Sequence, residues 1–151
     1  MPELLTPERR ACMICVYVAR VSLDRRPATG RLGERLAARH LEHDGYRVVD
    51  RNYRTRAGEI DLVAVCGRTL VFCEVKTLVR RSGLGPGPVH PLESVRPAQR
   101  VRIRRLATSW LSENRAVVRS SGRPDLRFDA IGVLLSPAGE LIELEHVRAA
   151  F

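Results

Sequence analysis

Gly58-Glu59-Ile60-Asp61-Leu62-Val63-Ala64-Val65-Cys66-Gly67-Arg68-Thr69-Leu70-Val71-Phe72-Cys73-Glu74-Val75-Lys76 is two apolar runs joined by two turn-forming residues. Glycine at the first central position of a two-residue loop favours a type II′ hairpin turn. That turn sets the register, with Cys66 facing Thr69. Asp61 then falls opposite Glu74, and Glu59 falls opposite Lys76. Directly opposed side chains have Cβ atoms about 4.5–5.5 Å apart. Glu74 and Lys76 share a face because strand side chains alternate with period two. Ile60, Leu62, Val63 and Ala64 oppose Leu70, Val71, Phe72 and Cys73, so the hairpin is apolar on both faces and reads as an interior strand pair.

Two carboxylates and an ammonium thus gather on one patch. On an exposed hairpin they would be solvated charges and ordinary salt bridges. At the end of a buried pair they are costly without a partner, and opposed carboxylates repel unless a cation lies between them or one is protonated. Mg²⁺ answers that need, since it takes a few carboxylates plus water and phosphate oxygens. The cation composition singles out the same place. Lys and Arg number 26, and every one is arginine except Lys76.

Outward from the hairpin, Leu32, Leu36, Ala37, His40 and Leu41 mark a helical face that Gly45 ends. Tyr46 to Tyr53 reads as a strand, followed by the strands Glu59 to Cys66 and Thr69 to Lys76. Ser82-Gly83-Leu84-Gly85-Pro86-Gly87-Pro88 is a loop of turn formers. A second helix runs from about Ser94 to Glu113, with Ile103, Leu106, Ala107, Trp110 and Leu111 on one stripe and Pro97 tolerated in its first turn. Ser120 to Asp125 is a loop. Arg127 to Ser136 and Glu140 to Val147 form a final strand pair around Pro137-Ala138-Gly139. The order α-β-β-β-α-β-β describes an α/β fold, a mixed sheet flanked by helices. Residues 1–28 lack periodicity and read as an extension, with the domain spanning 29–151.

The 151 residues suit one domain, and 44% hydrophobic with 28% charged residues excludes a disordered chain. No apolar run approaches the roughly 18 residues that cross a bilayer. The net charge of +9 suggests an anionic partner such as nucleic acid, although a coding bias toward arginine would give the same number. Arg96, Arg100, Arg102, Arg104 and Arg105 line the second helix off its apolar stripe, and Arg80 and Arg81 precede the Gly/Pro loop. Such residues suit contacts to phosphate backbones, or form a plain solvated face. Cys12 and Cys15 have C-x-x-C spacing, but no second pair completes a zinc site. Cys66 and Cys73 read as buried thiols in a reducing compartment. Arg9 to Val18 has only a brief apolar run with no A-x-A site after it, so no secretory signal is expected. The four histidines show no metal spacing, and His40 and His43 are expected at the surface.

Gly58-Glu59-Ile60-Asp61-Leu62-Val63 followed by Phe72-Cys73-Glu74-Val75-Lys76-Thr77 resembles the bipartite D…E-x-K signature of PD-(D/E)XK nucleases. With Gly33-Glu34-Arg35-Leu36-Ala37 upstream and Phe128-Asp129-Ala130-Ile131-Gly132-Val133 downstream, the chain resembles the YraN-like family of small restriction-endonuclease-like proteins. That family is similar to archaeal Holliday-junction resolvases. The resemblance covers about residues 30 to 151. It implies that Asp61 and Glu74, with the carbonyl of Val75, ligate Mg²⁺ or Mn²⁺. It further implies that Lys76 orients the attacking water and stabilises developing phosphorane charge, and that Glu34 is a helix-borne acid of the site. Glu34 also borders its helix's apolar stripe, where an exposed helix-start glutamate is the simpler reading. Glu59 is either a supporting partner of Lys76 or one half of a simple ion pair. Asp129, in an apolar strand, is either a hydrogen-bond hub or close to the site.

The implied activity is a cytoplasmic, Mg²⁺-dependent endonuclease that hydrolyses DNA phosphodiesters, branched DNA among the candidate substrates. The alternatives are a non-catalytic nucleic-acid-binding protein on the same fold, and a scaffold whose basic surface meets an acidic protein. The expected partners are nucleic acid, DNA first, and a second copy in a homodimer; no membrane partner is expected.

Overall fold

The computed structural model describes residues 27–80, 91–94 and 97–151. The extension up to residue 26, the 82–88 loop, the Cys12/Cys15 pair, Arg81 and Arg96 lie outside the described residues. Helix α1 (Pro27–His43) precedes strands β1 (Arg47–Thr55), β2 (Gly58–Cys66) and β3 (Thr69–Val79). A 3₁₀ turn (Pro91–Ser94), helices α2 (Pro97–Glu113) and α3 (Arg115–Ser120), and strands β4 (Asp125–Leu135) and β5 (Leu141–Val147) follow. The order α-β-β-β-α-β-β holds. The sequence reading assigns no element to the short α3 or to the 3₁₀ turn.

The five strands form one sheet in chain order. Every neighbouring pair is antiparallel except β3 and β4, which are parallel. Parallel strands need a long crossover, and α2 lies within it. Gly67 has φ +57° while Arg68 is not in the positive-φ region, as a type II′ turn requires. From Cys66 facing Thr69 to Leu62 facing Cys73, the register is the one the turn dictates.

Both sheet faces are covered. On one, Ala37, Ala38 and Leu41 of α1 pack on Leu62, Ala64, Val71, Cys73, Val75, Ile131 and Val133. On the other, Ile103, Leu106, Ala107 and Trp110 of α2 pack on Ile60, Val63, Val65, Leu70 and Phe72. The doubly apolar hairpin is therefore the middle layer between two helices. Trp110 meets Phe72 edge-on at 5.7 Å, and its indole N–H donates to Asp50 Oδ2 at 2.6 Å. Helix α1 ends where Gly45 takes φ +84°; its N–H reaches Glu42 O at 3.2 Å and that of Tyr46 reaches Leu41 O at 2.9 Å. Those two bonds satisfy carbonyls that the helix end would leave open.

Candidate active site

The β2–β3 ladder stops at Leu62 facing Cys73. Before that point β2 continues against β1 alone, with Ile60 facing Tyr53 and Glu59 facing Arg54. The expectations that Asp61 faces Glu74 across the ladder and that Glu59 faces Lys76 are therefore corrected, since both positions lie beyond its end. Glu59 pairs with Arg54 Nε at 3.0 Å, on an exposed stretch of the outer strand. The alternation of β2 also breaks here, since Ile60 packs on the α2 face and Leu62 on the α1 face. Asp61 sits at the break. Where the two backbones part, Val75 N–H has lost a main-chain acceptor, and Asp61 Oδ2 accepts it at 2.6 Å.

Glu74, Lys76 and the α2 residues form the other half of the site. Alternation along β3 puts Glu74 and Lys76 on the α2 face. Lys76 Nζ donates to Glu74 Oε1 at 2.6 Å. Gln99 Nε2 donates to the same oxygen at 3.3 Å, and Arg102 Nη2 lies 4.0 Å from it. Glu74 is 5% exposed and Asp61 8%, so both acids are buried. The Lys76 side chain is partly open at 27%.

Burial pushes the Asp61 carboxyl up to about 7; the charge of Glu74 adds to the push, Glu34 adds a little, and the Val75 N–H and Lys76 oppose it. Glu34 comes from the opposite side of the sheet. Its Oε2 accepts from Asn52 Nδ2 at 3.0 Å, and Asn52 stands in β1 with φ +55°. Gly33 brings this turn of α1 down onto β3. A Cβ on Gly33 would collide with Thr77 Oγ1 and fall 2.9 Å from Thr77 Cβ. Gly33→Ala should therefore lift α1 and cost about 1–3 kcal/mol of stability, as overpacking does; an unchanged urea midpoint would refute this close contact.

Sequence reasoning did not bring three of these residues to the site. Gln99 carries no pattern signal. Arg102 looks like any arginine of the basic helix, and its position three after Gln99, on the same helix side, is the one available hint. Asn52 breaks a strand pattern, which marks irregular backbone but names no partner. Among the basic candidates, Arg80, Arg100 and Arg104 are exposed. The Arg104 guanidinium lies over the Phe128 ring at 5.5 Å, and that of Arg100 over Phe151 at 5.8 Å.

Asp129 lies apart from these residues, on the α1 face, and is fully buried. Arg127 Nε donates to its Oδ1 at 2.9 Å and Arg127 Nη2 to its Oδ2 at 2.7 Å. His146 Nε2 bonds Oδ2 at 2.8 Å, and Ala149 N–H bonds Oδ1 at 2.9 Å. Burial alone would raise this carboxyl, but the bonds from His146, Arg127 and Ala149 outweigh it and hold it at about 2. Of the two readings open for Asp129, the hub is the one observed. The expectation that His40 is a surface residue is corrected as well. Its side chain is 8% exposed, because the C-terminal turn of α1 is roofed by His146 of β5, whose ring centroid is 5.4 Å away. Cys73 is buried as expected, and Cys66 is half-buried.

The chain belongs to the uncharacterised protein family UPF0102, whose model matches residues 33–133. It is 46% identical over 132 residues to a UPF0102 protein of Acidothermus cellulolyticus, covering 83% of this chain and 95% of that protein. A UPF0102 protein of Streptomyces griseus is 48% identical over 128 residues, covering 83% and 98%. One from Beutenbergia cavernae is 47% identical over 121 residues, covering 80% and 93%. The family match takes in Glu34, Asp61, Glu74, Val75, Lys76 and α2. No helix among the described residues is long and apolar enough to cross a membrane.

Proposed function

We propose that the protein is a divalent-metal-dependent endonuclease of the PD-(D/E)XK type that hydrolyses DNA phosphodiesters, with branched DNA a candidate substrate. The observation that carries this reading is the pair of buried acids, Asp61 and Glu74, at the parting of β2 and β3, with the chain's one lysine bonded to Glu74. The donor set fits a hard cation. Asp61 Oδ2 accepts the Val75 N–H, Oδ1 would be the oxygen offered to a cation, and the raised Asp61 carboxyl marks negative charge that the metal-free protein cannot neutralise well. Asp61, Glu74 and the Val75 carbonyl would hold Mg²⁺ or Mn²⁺. When bound, the ion supplies charge stabilisation at the scissile phosphate. Lys76 holds Glu74 in place and presents a compact ammonium toward the attacking water and the phosphate. Glu34 is the acid on the α1 side, oriented by Asn52. Arg80, Arg81, Arg96, Arg100 and Arg104 would contact the DNA backbone without reading its sequence.

The test is cleavage of branched, single-stranded and duplex DNA with Mg²⁺, Mn²⁺ or chelator. Products that form with metal, vanish with chelator and vanish in Asp61→Ala support the reading; metal-independent products, or none on any substrate, overturn it.

Asp61→Asn gives a second readout that needs no activity. The Asp61 carboxyl lies above its unfolded value in the folded chain, so the folded state holds the extra proton. Its contribution to stability is most favourable below about pH 4 and fades as pH rises through about 7. The asparagine variant keeps an oxygen for the Val75 N–H and loses this dependence. At pH 8 without metal it should therefore be more stable than wild type, and Mg²⁺ should raise the melting temperature of wild type alone. Equal melting curves for the two proteins across pH 4–8 would remove the electrostatic argument for a cation here.

A further inference from the structure

His40, Asp44 and His146 each offer a ligand atom, and the three atoms lie within 4.8 Å of one another. Asp44 follows His40 by one helical turn. His146 comes from β5, so the group joins the end of α1 to an edge strand. The His40 side chain is 8% exposed and that of His146 is 6% exposed. Neither His40 nitrogen has a hydrogen-bond partner among the described residues. Asp44 Oδ2 stands 3.7 Å from His40 Nε2, too far for a hydrogen bond. A buried imidazole with both nitrogens unsatisfied is costly, yet it is aimed at a carboxylate and a second imidazole. Burial holds His40 toward its neutral form, the form that binds metal. His146 is oriented by Asp129 through Nε2 at 2.8 Å, the carboxylate–histidine arrangement that fixes imidazole ligands.

We propose that His40, Asp44 and His146 form a second metal site, separate from the Asp61/Glu74 pair, that takes a borderline divalent ion such as Zn²⁺ or Co²⁺. Two imidazoles and one carboxylate select such ions over Mg²⁺, which prefers oxygen. In tetrahedral geometry with metal–ligand distances near 2.0–2.1 Å, ligand atoms lie roughly 3.3 Å apart. The His40–Asp44 separation of 3.7 Å needs only a small closure. Arg148 Nη2, 3.9 Å from Asp44 Oδ2, is the competing cation; its side chain is 58% exposed, and its guanidinium, which lies over the Tyr46 ring at 5.9 Å, can move toward solvent as the ion enters. The three protein ligands leave one position for water on the open side at Asp44. Bound there, the ion clamps α1 to β5, which reaches the rest of the sheet through β4.

The site is tested on the full-length chain, free of any purification tag and stripped with chelator. Co²⁺ is titrated and followed by visible absorption, and Zn²⁺ affinity is measured by competition with a chromophoric chelator. One equivalent with the intense visible bands of low-coordinate Co²⁺ is expected, with a higher melting temperature with Zn²⁺ and no competition from Mg²⁺ for that equivalent. His40→Ala and His146→Ala should abolish binding. Asp44→Asn, at a partly exposed position where folding is not at stake, should weaken it by about tenfold or more. Asp61→Asn should leave it unchanged, which separates this site from the proposed catalytic one. Affinity that survives in Asp44→Asn and His40→Ala, or that is lost on Cys12→Ser/Cys15→Ser or Asp61→Asn, overturns the proposal, as does a wild-type chain that binds neither ion.

Discussion

In the proposed reaction, Lys76→Met lowers the cleavage rate by about 10²–10³-fold, the loss that follows removal of one positioned electrostatic group. The fold should survive, because Lys76 is partly exposed and its bond among the described residues is to Glu74. DNA affinity should fall little, because one of 26 cationic side chains is lost. Lys76→Arg is the more informative variant. It keeps the charge and suits a composition that uses arginine at every other cationic position, yet it should not restore the rate. A guanidinium is planar, broad and effectively never deprotonated, whereas an ammonium is a compact charge that fits beside a buried carboxylate. The bond of 2.6 Å to Glu74 Oε1, with Gln99 and Arg102 already crowding the same oxygen, leaves little room for the larger group. Full cleavage by the arginine variant, in an assay where Asp61→Ala is dead, would show that any cation serves at this position.

The parts of this site that a sequence can carry are those set by local geometry. The Gly67-Arg68 turn fixed the register from Leu62 to Cys73, and the apolar run on both sides of it required two covering helices. Alternation put Glu74 and Lys76 on one face. The end of the ladder was not legible. Whether two strands stay paired depends on whether their backbones remain within hydrogen-bonding reach, and beyond Leu62 facing Cys73 only β1 still pairs with β2, at Ile60 and Glu59. The Asp61 carboxylate takes over the freed Val75 N–H, an exchange that leaves no trace in hydropathy. The group of His40, Asp44 and His146 was hidden for a different reason. Periodicity tells which side of an element faces inward, not which element faces it. His40 does fall on the apolar side of α1, but its partner lies in the last strand. The same limit applied to Asp129, whose burial was legible from its apolar neighbours while Arg127, two residues away on the same strand face, was not recognised as its partner.

That pair gives the largest expected effect on stability. Arg127→Met should destabilise the protein by about 3–5 kcal/mol, because it strips a buried carboxylate of its main counter-charge. For a chain of this size the melting temperature should fall by roughly 10 °C. The guanidinium also donates to Tyr46 Oη at 2.8 Å, so the variant loses the tie between β4 and the segment that follows α1. Among the described residues, Asp129 then keeps only His146 and the Ala149 N–H. The sign of the pH effect follows from its carboxyl, which lies at about 2 in the folded chain, below its unfolded value. Its stabilising contribution is present above about pH 4 and is lost as pH falls toward 2. Arg127→Met should therefore lose most stability near neutrality and approach wild type in acid. Arg127→Met/Asp129→Leu separates net attraction from mere avoidance of an unpaired charge. Replacing both partners of a buried pair with apolar groups is often close to neutral, so the double variant should recover much of the loss. Chemical denaturation of the three proteins at pH 7 and pH 3 measures both effects. A double variant as unstable as Arg127→Met would mean that the hub holds β4, β5 and Tyr46 together through its own hydrogen bonds, and that the cost is not that of a stranded carboxylate.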